Sequence, residues 1–137
     1  MFFKKKIEKQ SNSQLIKIAA LMIHAGKIDE NFSQQEEIII KKALLKMGAN
    51  TENIQEIIEQ SKLIEKNANQ ILDFTKEVKM MDEEKKIEII ETLWRIIYSN
   101  KDADIYETNL MRRLAGLMYI DKKIMGSIQE KIKNEIL

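Results

Sequence analysis

Apolar residues recur along the chain at spacings of three and four, no segment alternates as a strand, and no Pro interrupts the pattern. That periodicity predicts helix after helix. Ser13 is placed to cap a first helix over residues 14–24, where Leu15, Ile16, Ile18, Ala19, Leu21, Met22 and Ile23 leave almost no polar face. A helix apolar on nearly all sides belongs at the centre of a bundle. Gly26 follows, and Ser33-x-x-Glu36 then has the spacing of a capping box, in which hydroxyl and carboxylate satisfy each other's backbone amides. The second helix carries Ile39, Ile40, Ala43, Leu44 and Met47 and stops at Gly48.

Asn50 or Thr51 is expected to open a one-sided third helix bearing Ile54, Ile57, Ile58 and Ile64. A fourth, over about residues 69–79, shows Ile71, Phe74 and Val78 before a Met80-Met81 connection expected to be exposed. Asp82, Glu83 and Glu84 suit the positive end of a fifth helix dipole, ahead of a stripe of Ile87, Ile90, Leu93, Trp94 and Ile97. Asp104-x-x-Glu107 repeats the capping spacing before a sixth helix with Leu110, Met111, Leu114, Leu117 and Met118. Asp121 caps a seventh with Ile124, Met125, Ile128, Ile132 and Ile136. The expected fold is all-α: a compact bundle of about seven helices, one domain over residues 1–137, with residues 1–12 a flexible or loosely packed N-terminus.

The two halves also align with each other. Leu15, Ile18, Met22, Ile28 and Asp29 fall on Ile90, Leu93, Ile97, Ala103 and Asp104 at one offset. After a short insertion in the first copy, Glu36, Ile39, Ile40, Ala43 and Met47 fall on Glu107, Leu110, Met111, Leu114 and Met118. The repeated unit is a buried helix, an acidic turn and a capped helix, and two such units facing each other predict a pseudo-twofold bundle.

Composition narrows the chemistry. With 137 residues, the chain is long enough to bury about 68% of its unfolded surface without metal or disulfide staples. Zero Cys removes disulfides, thiolate catalysis and cysteine-held metal. A single His removes ferritin-like di-metal sites and the His-Glu-x-x-His motif, and His24 reads as a satisfied boundary residue. Four scattered glycines supply no phosphate cradle. Lys+Arg 23 against Asp+Glu 22 gives +1, without the basic excess that nucleic-acid binding needs. No enzyme class has support, and no nucleic-acid partner is expected.

The longest apolar stretch, residues 18–23, is far short of the roughly 20 a membrane-spanning helix needs. Without a secretory apolar region near the start, the expected location is cytoplasmic. Phe2 and Phe3 beside Lys4, Lys5 and Lys6 leave peripheral membrane association as an alternative to local packing.

The arrangement resembles the tellurite-resistance protein TerB family, whose halves each carry a buried helix ending in a turn like Ala-Asp-Gly-x-Ile-Asp, with a Glu in the next helix. Here the turns read His24-Ala25-Gly26-Lys27-Ile28-Asp29, with Glu36 downstream, and Ser99-Asn100-Lys101-Asp102-Ala103-Asp104, with Glu107. Leu93-Trp94-x-Ile-x-Tyr98 precedes the second turn. The resemblance runs from about Leu15 to Ile136 and implies a seven-helix cytoplasmic bacterial protein. It also implies acidic turns able to take a divalent metal, which makes Asp29, Glu36, Asp102, Asp104 and Glu107 the candidate ligands. Ala25 and Asn100 stand where the family prefers Asp, and Lys101 where it prefers Gly, so helix capping is the expected role of these acids. The expected function is that of a non-enzymatic helical interaction module in a stress-response assembly, its protein partner unidentified and no cofactor required. The alternative is an ion-binding or ion-sensing protein that uses the acidic turns.

Overall fold

The computed structural model describes residues 2–28, 32–68, 71–99 and 103–136, with side chains from Asn12 to Glu135 within those spans. Among the described residues the chain forms seven α-helices and no strand: α1 (Phe2–Gly26), α2 (Gln34–Lys46), α3 (Ile54–Asn67), α4 (Leu72–Lys79), α5 (Glu83–Tyr98), α6 (Ile105–Leu117) and α7 (Lys122–Ile136). The side chains of Phe2, Phe3, Lys4, Lys5 and Lys6 lie outside those described.

α1 is the central element and packs against α2, α3, α4 and α5. Leu15, Ile18, Leu21, Met22 and Ile23 are buried along it, and Ala19 and Ala20 let neighbouring helices approach closely. At the α1–α3 contact the small buried Ser61 has the Ile57 carbonyl at 2.6 Å and the Ile16 carbonyl at 3.0 Å within reach of its single hydroxyl hydrogen, so its hydroxyl enters the core satisfied. α1 begins at Phe2, not after a Ser13 cap. The preceding residues contain neither Pro nor Gly, so nothing in them breaks the helix that Ser13 was expected to start.

α5 is the second buried element, lying against α1, α2 and α7. The expected stripe holds for Ile90, Leu93, Trp94 and Ile97, whereas Ile87 is only partly buried and Ile89 and Ile96 are fully inside. A helix with neighbours on three sides buries more than one stripe. α3 starts at Ile54 behind an N-cap at Asn53, two or three residues later than the expected cap. The side chain of Asn50 accepts from the amides of Glu52 and Asn53 and holds those residues in a turn ahead of the helix. α4 is shorter than expected, with Ile71 at its N-cap.

Contacts between elements are partly paired. α3 lies on α1 as α7 lies on α5, and α2 meets α3 as α6 meets α7. α4 has no counterpart in such a pairing; it lies against α1 and α6, bridging the two halves. Met80, after it, is 84% exposed, while Met81 packs on the core.

Candidate acidic-turn site

The two acidic turns are built by the same local chemistry. Ser33 holds an extended conformation at the N-cap of α2, its hydroxyl accepts from the Glu36 amide at 3.2 Å, and Glu36 Oε1 accepts from the Ser33 amide at 3.3 Å and hydroxyl at 3.1 Å. Asp104 does the same for α6: its carboxylate accepts from the Glu107 amide at 2.8 Å, and Glu107 Oε1 accepts from the Asp104 amide at 3.1 Å. Both are complete capping boxes. Glu36 is 1% exposed and Glu107 5%, unusual burial for a carboxylate. Each also has interactions beyond its capping bonds.

The ends of the same helices also match. Gly48, with φ of 116°, follows the Met47 C-cap of α2, and the Ala49 amide donates back to the Leu44 carbonyl at 3.0 Å. Tyr119, with φ of 56°, follows the Met118 C-cap of α6, and the Ile120 amide donates to the Ala115 carbonyl at 2.9 Å. Both closures are Schellman motifs, in which a left-handed residue lets the chain satisfy the last carbonyls of the helix. Glycine takes that conformation freely, whereas tyrosine does so at a steric cost of about 1–2 kcal/mol.

Around the first turn, long-range partners neutralise the acids. Glu65, from the far end of α3, accepts from Lys27 Nζ at 2.8 Å and lies 3.4 Å from His24 Nδ1. Glu37 is paired with Lys62 and Lys41. The hydrogen bond from Lys62 holds its carboxyl below the usual glutamate range, against the opposing effect of partial burial, with the charges of Lys62 and Lys41 adding to the lowering. Lys62 also lies over the Phe32 ring, 5.9 Å from its centre. Sequence reasoning missed Glu65 and Lys62, because no local spacing brings α3 to the α1–α2 turn.

Of the expected metal ligands, Glu36, Asp104 and Glu107 are placed by the structure, each in a capping box, while Asp29 and Asp102 lie outside the described residues. Among the described residues no three His, Asp or Glu side chains are grouped so as to hold a metal ion. Beside the first turn, Lys27 pairs with Glu65 and Lys62 with Glu37, neither acid an expected ligand, and the two lysines bring positive charge to that end of the bundle. Among the described residues no helix is long and apolar enough to cross a membrane.

Comparison with curated proteins and with solved structures yields no match. The family model described as Tellurite resistance protein TerB matches residues 15–130, from the start of the described apolar face of α1 into α7. With the match extending over most of its length, the chain belongs to the TerB family.

Proposed function

We propose that this TerB-family chain is a non-enzymatic helical protein-interaction module, working in a cytoplasmic bacterial stress-response assembly of the kind the family name suggests. The observation that carries the reading is Tyr119. Its side chain is 69% exposed although its backbone is held in the left-handed region, where α2 has Gly48 at the matching place. Lys79 Nζ sits 4.5 Å from the ring centre, and the exposed Met80 is the next residue in the chain. A strained aromatic kept on the surface under a lysine that is followed by an exposed methionine suits a partner that offers an apolar socket with an acidic rim. The near-zero net charge favours a protein partner over nucleic acid.

The matched capping boxes and Schellman closures of α2 and α6 support descent of the two halves from one duplicated hairpin.

Size exclusion of native extract tests the interaction. The wild-type chain should elute in a particle well above its own 16.1 kDa. A Tyr119→Gly, Met80→Ser double variant that keeps its helical content should elute near the monomer. Equal mobility of the two would overturn the reading.

A further inference from the structure

The segment Phe2-Phe3-Lys4-Lys5-Lys6-Ile7-Glu8-Lys9 belongs to α1, whose helical backbone begins at Phe2. The elements that pack on α1 join it further along. Asn12 Oδ1 accepts from Nδ2 of Asn53, the N-cap of α3, at 3.4 Å. Gln14 and Leu15 line one cleft with Lys46, the last residue of α2, and with Met81 and Asp82, where α4 gives way to α5. α2 and α4 therefore end, and α3 and α5 begin, at the level of residues 12–15. Residues 2–11 of α1 precede that level, which is about 15 Å of helix at a rise of about 1.5 Å per residue.

Charge divides at the same place. Residues 2–11 hold four lysines and one glutamate, a net +3, whereas the other residues hold 19 basic and 21 acidic side chains, a net −2. A chain that is nearly neutral as a whole thus carries a basic arm on a mildly acidic body. Within the arm, Phe3 and Ile7 are one helical turn apart and fall on one stripe, Lys4 and Lys6 fall on either side of it, and Phe2 adds a second aromatic. Lysines flanking a stripe of aromatic and aliphatic residues are the pattern of a helix that lies in a membrane interface. We propose that residues 2–11 of α1 dock the protein on an anionic phospholipid surface, the apolar residues entering the boundary between headgroups and acyl chains and the lysines pairing with lipid phosphates. Ten residues are too few to span a bilayer, so the arm lies on it. The phenylalanines favour lipid over a soluble polyanion, which would engage the lysines alone. Because the arm combines two weak signals, one apolar and one basic, the attachment is reversible and needs both.

The full-length chain is sedimented with vesicles of phosphatidylcholine alone and with vesicles of phosphatidylcholine and phosphatidylglycerol in equal parts, at low salt. It should pellet with the anionic vesicles, stay in solution with the neutral ones, and be released from the first as salt is raised. A Lys4→Gln, Lys5→Gln, Lys6→Gln triple variant should partition about a hundredfold more weakly, since each lysine near an anionic surface is worth roughly a factor of five. A Phe2→Ser, Phe3→Ser double variant should lose at least about tenfold. Both variants change residues ahead of the helix contacts of the bundle and should keep the wild-type unfolding midpoint. Absence of binding to the anionic vesicles overturns the proposal, as does equal binding to both compositions or undiminished binding by the triple lysine variant. Undiminished binding by the double phenylalanine variant also overturns it and would mark the arm as a site for soluble polyanions.

Discussion

The carboxylate of Glu36 packs directly against the Cα of Gly26, so that a Cβ on residue 26 would collide with Glu36 Oε2 and would lie 2.8 Å from Cδ2 of Phe32. The last residue of α1 and the buried acid of the α2 capping box thus share one space, and the glycine is required by that approach. Gly26→Ala gains helix propensity of about 1 kcal/mol but must displace a buried, hydrogen-bonded carboxylate and an aromatic ring. The expected outcome is a net loss of about 1–3 kcal/mol in denaturant unfolding. A variant as stable as wild type would mean that Glu36 and Phe32 yield freely.

The capping boxes make a claim about ions as well as about stability. Ser33→Ala and Asp104→Ala should each cost about 0.5–2 kcal/mol, and the cost should be the same with and without millimolar calcium or magnesium. Coordination would instead raise wild-type stability with free ion, by about 2.7 kcal/mol at one hundred times Kd, and Asp104→Ala would lose that rise. Thermal unfolding across an ion series separates the two, and a flat profile is expected.

Trp94 fills the space between α5 and its neighbours and stacks on Tyr98, with ring centres 5.8 Å apart. Trp94→Ala should lower stability by about 3–5 kcal/mol, the range for truncating a fully buried large aromatic. Wild-type emission should be that of an indole shielded from water. A loss under about 1 kcal/mol would contradict the burial.

The lowered Glu37 carboxyl sets a pH dependence of known sign. Because its folded value lies below its unfolded one, the pairing with Lys62 and Lys41 stabilises the fold fully above the usual glutamate range and fades as pH falls through the lowered value. Lys62 is about half exposed, so the contribution is about 0.2–1 kcal/mol. Wild type should exceed Glu37→Gln by that amount at neutral pH and lose the advantage in strong acid. A difference that persists unchanged in acid would assign the effect to packing.

Gly48 and Tyr119 occupy matching left-handed positions with opposite residue types. Gly48→Ala should destabilise by about 1–2 kcal/mol, since it introduces a side chain at positive φ. Tyr119→Gly relieves that same strain and gives up both the Lys79 contact and some chain stiffness, so it should fall between unchanged and about 1 kcal/mol more stable. Calorimetric midpoints of the pair read both at once, and a clear loss in Tyr119→Gly would place the tyrosine in the framework of the fold.

Residue spacing made the capping boxes legible because each is a contact across three residues: Ser33 with Glu36, Asp104 with Glu107. The apolar face of α1 was equally plain, since six consecutive apolar residues, 18–23, leave a helix no exposed side. Where two local signals compete, spacing does not rank them. Ser13 has the form of a cap yet lies inside α1, and Asn50 has the form of a cap yet folds its side chain into a turn before α3. Contacts between distant elements left no trace in local pattern, which is why Glu65 beside His24 and Lys27 required the structure. Tyr119 was invisible for a different reason. A helix stop is read from glycine, and here the backbone takes the glycine conformation without one.

α4 has eight residues, fewer than an isolated helix needs to hold its shape in water, and it buries Phe74, Thr75 and Val78. Its order is therefore conditional on docking across α1 and α6 at once, and its stability is borrowed from both halves of the bundle. A segment of that kind adds a second tie between the halves beside the direct packing of α5 on α1 and α2, and it is the tie that loosening either α1 or α6 releases first.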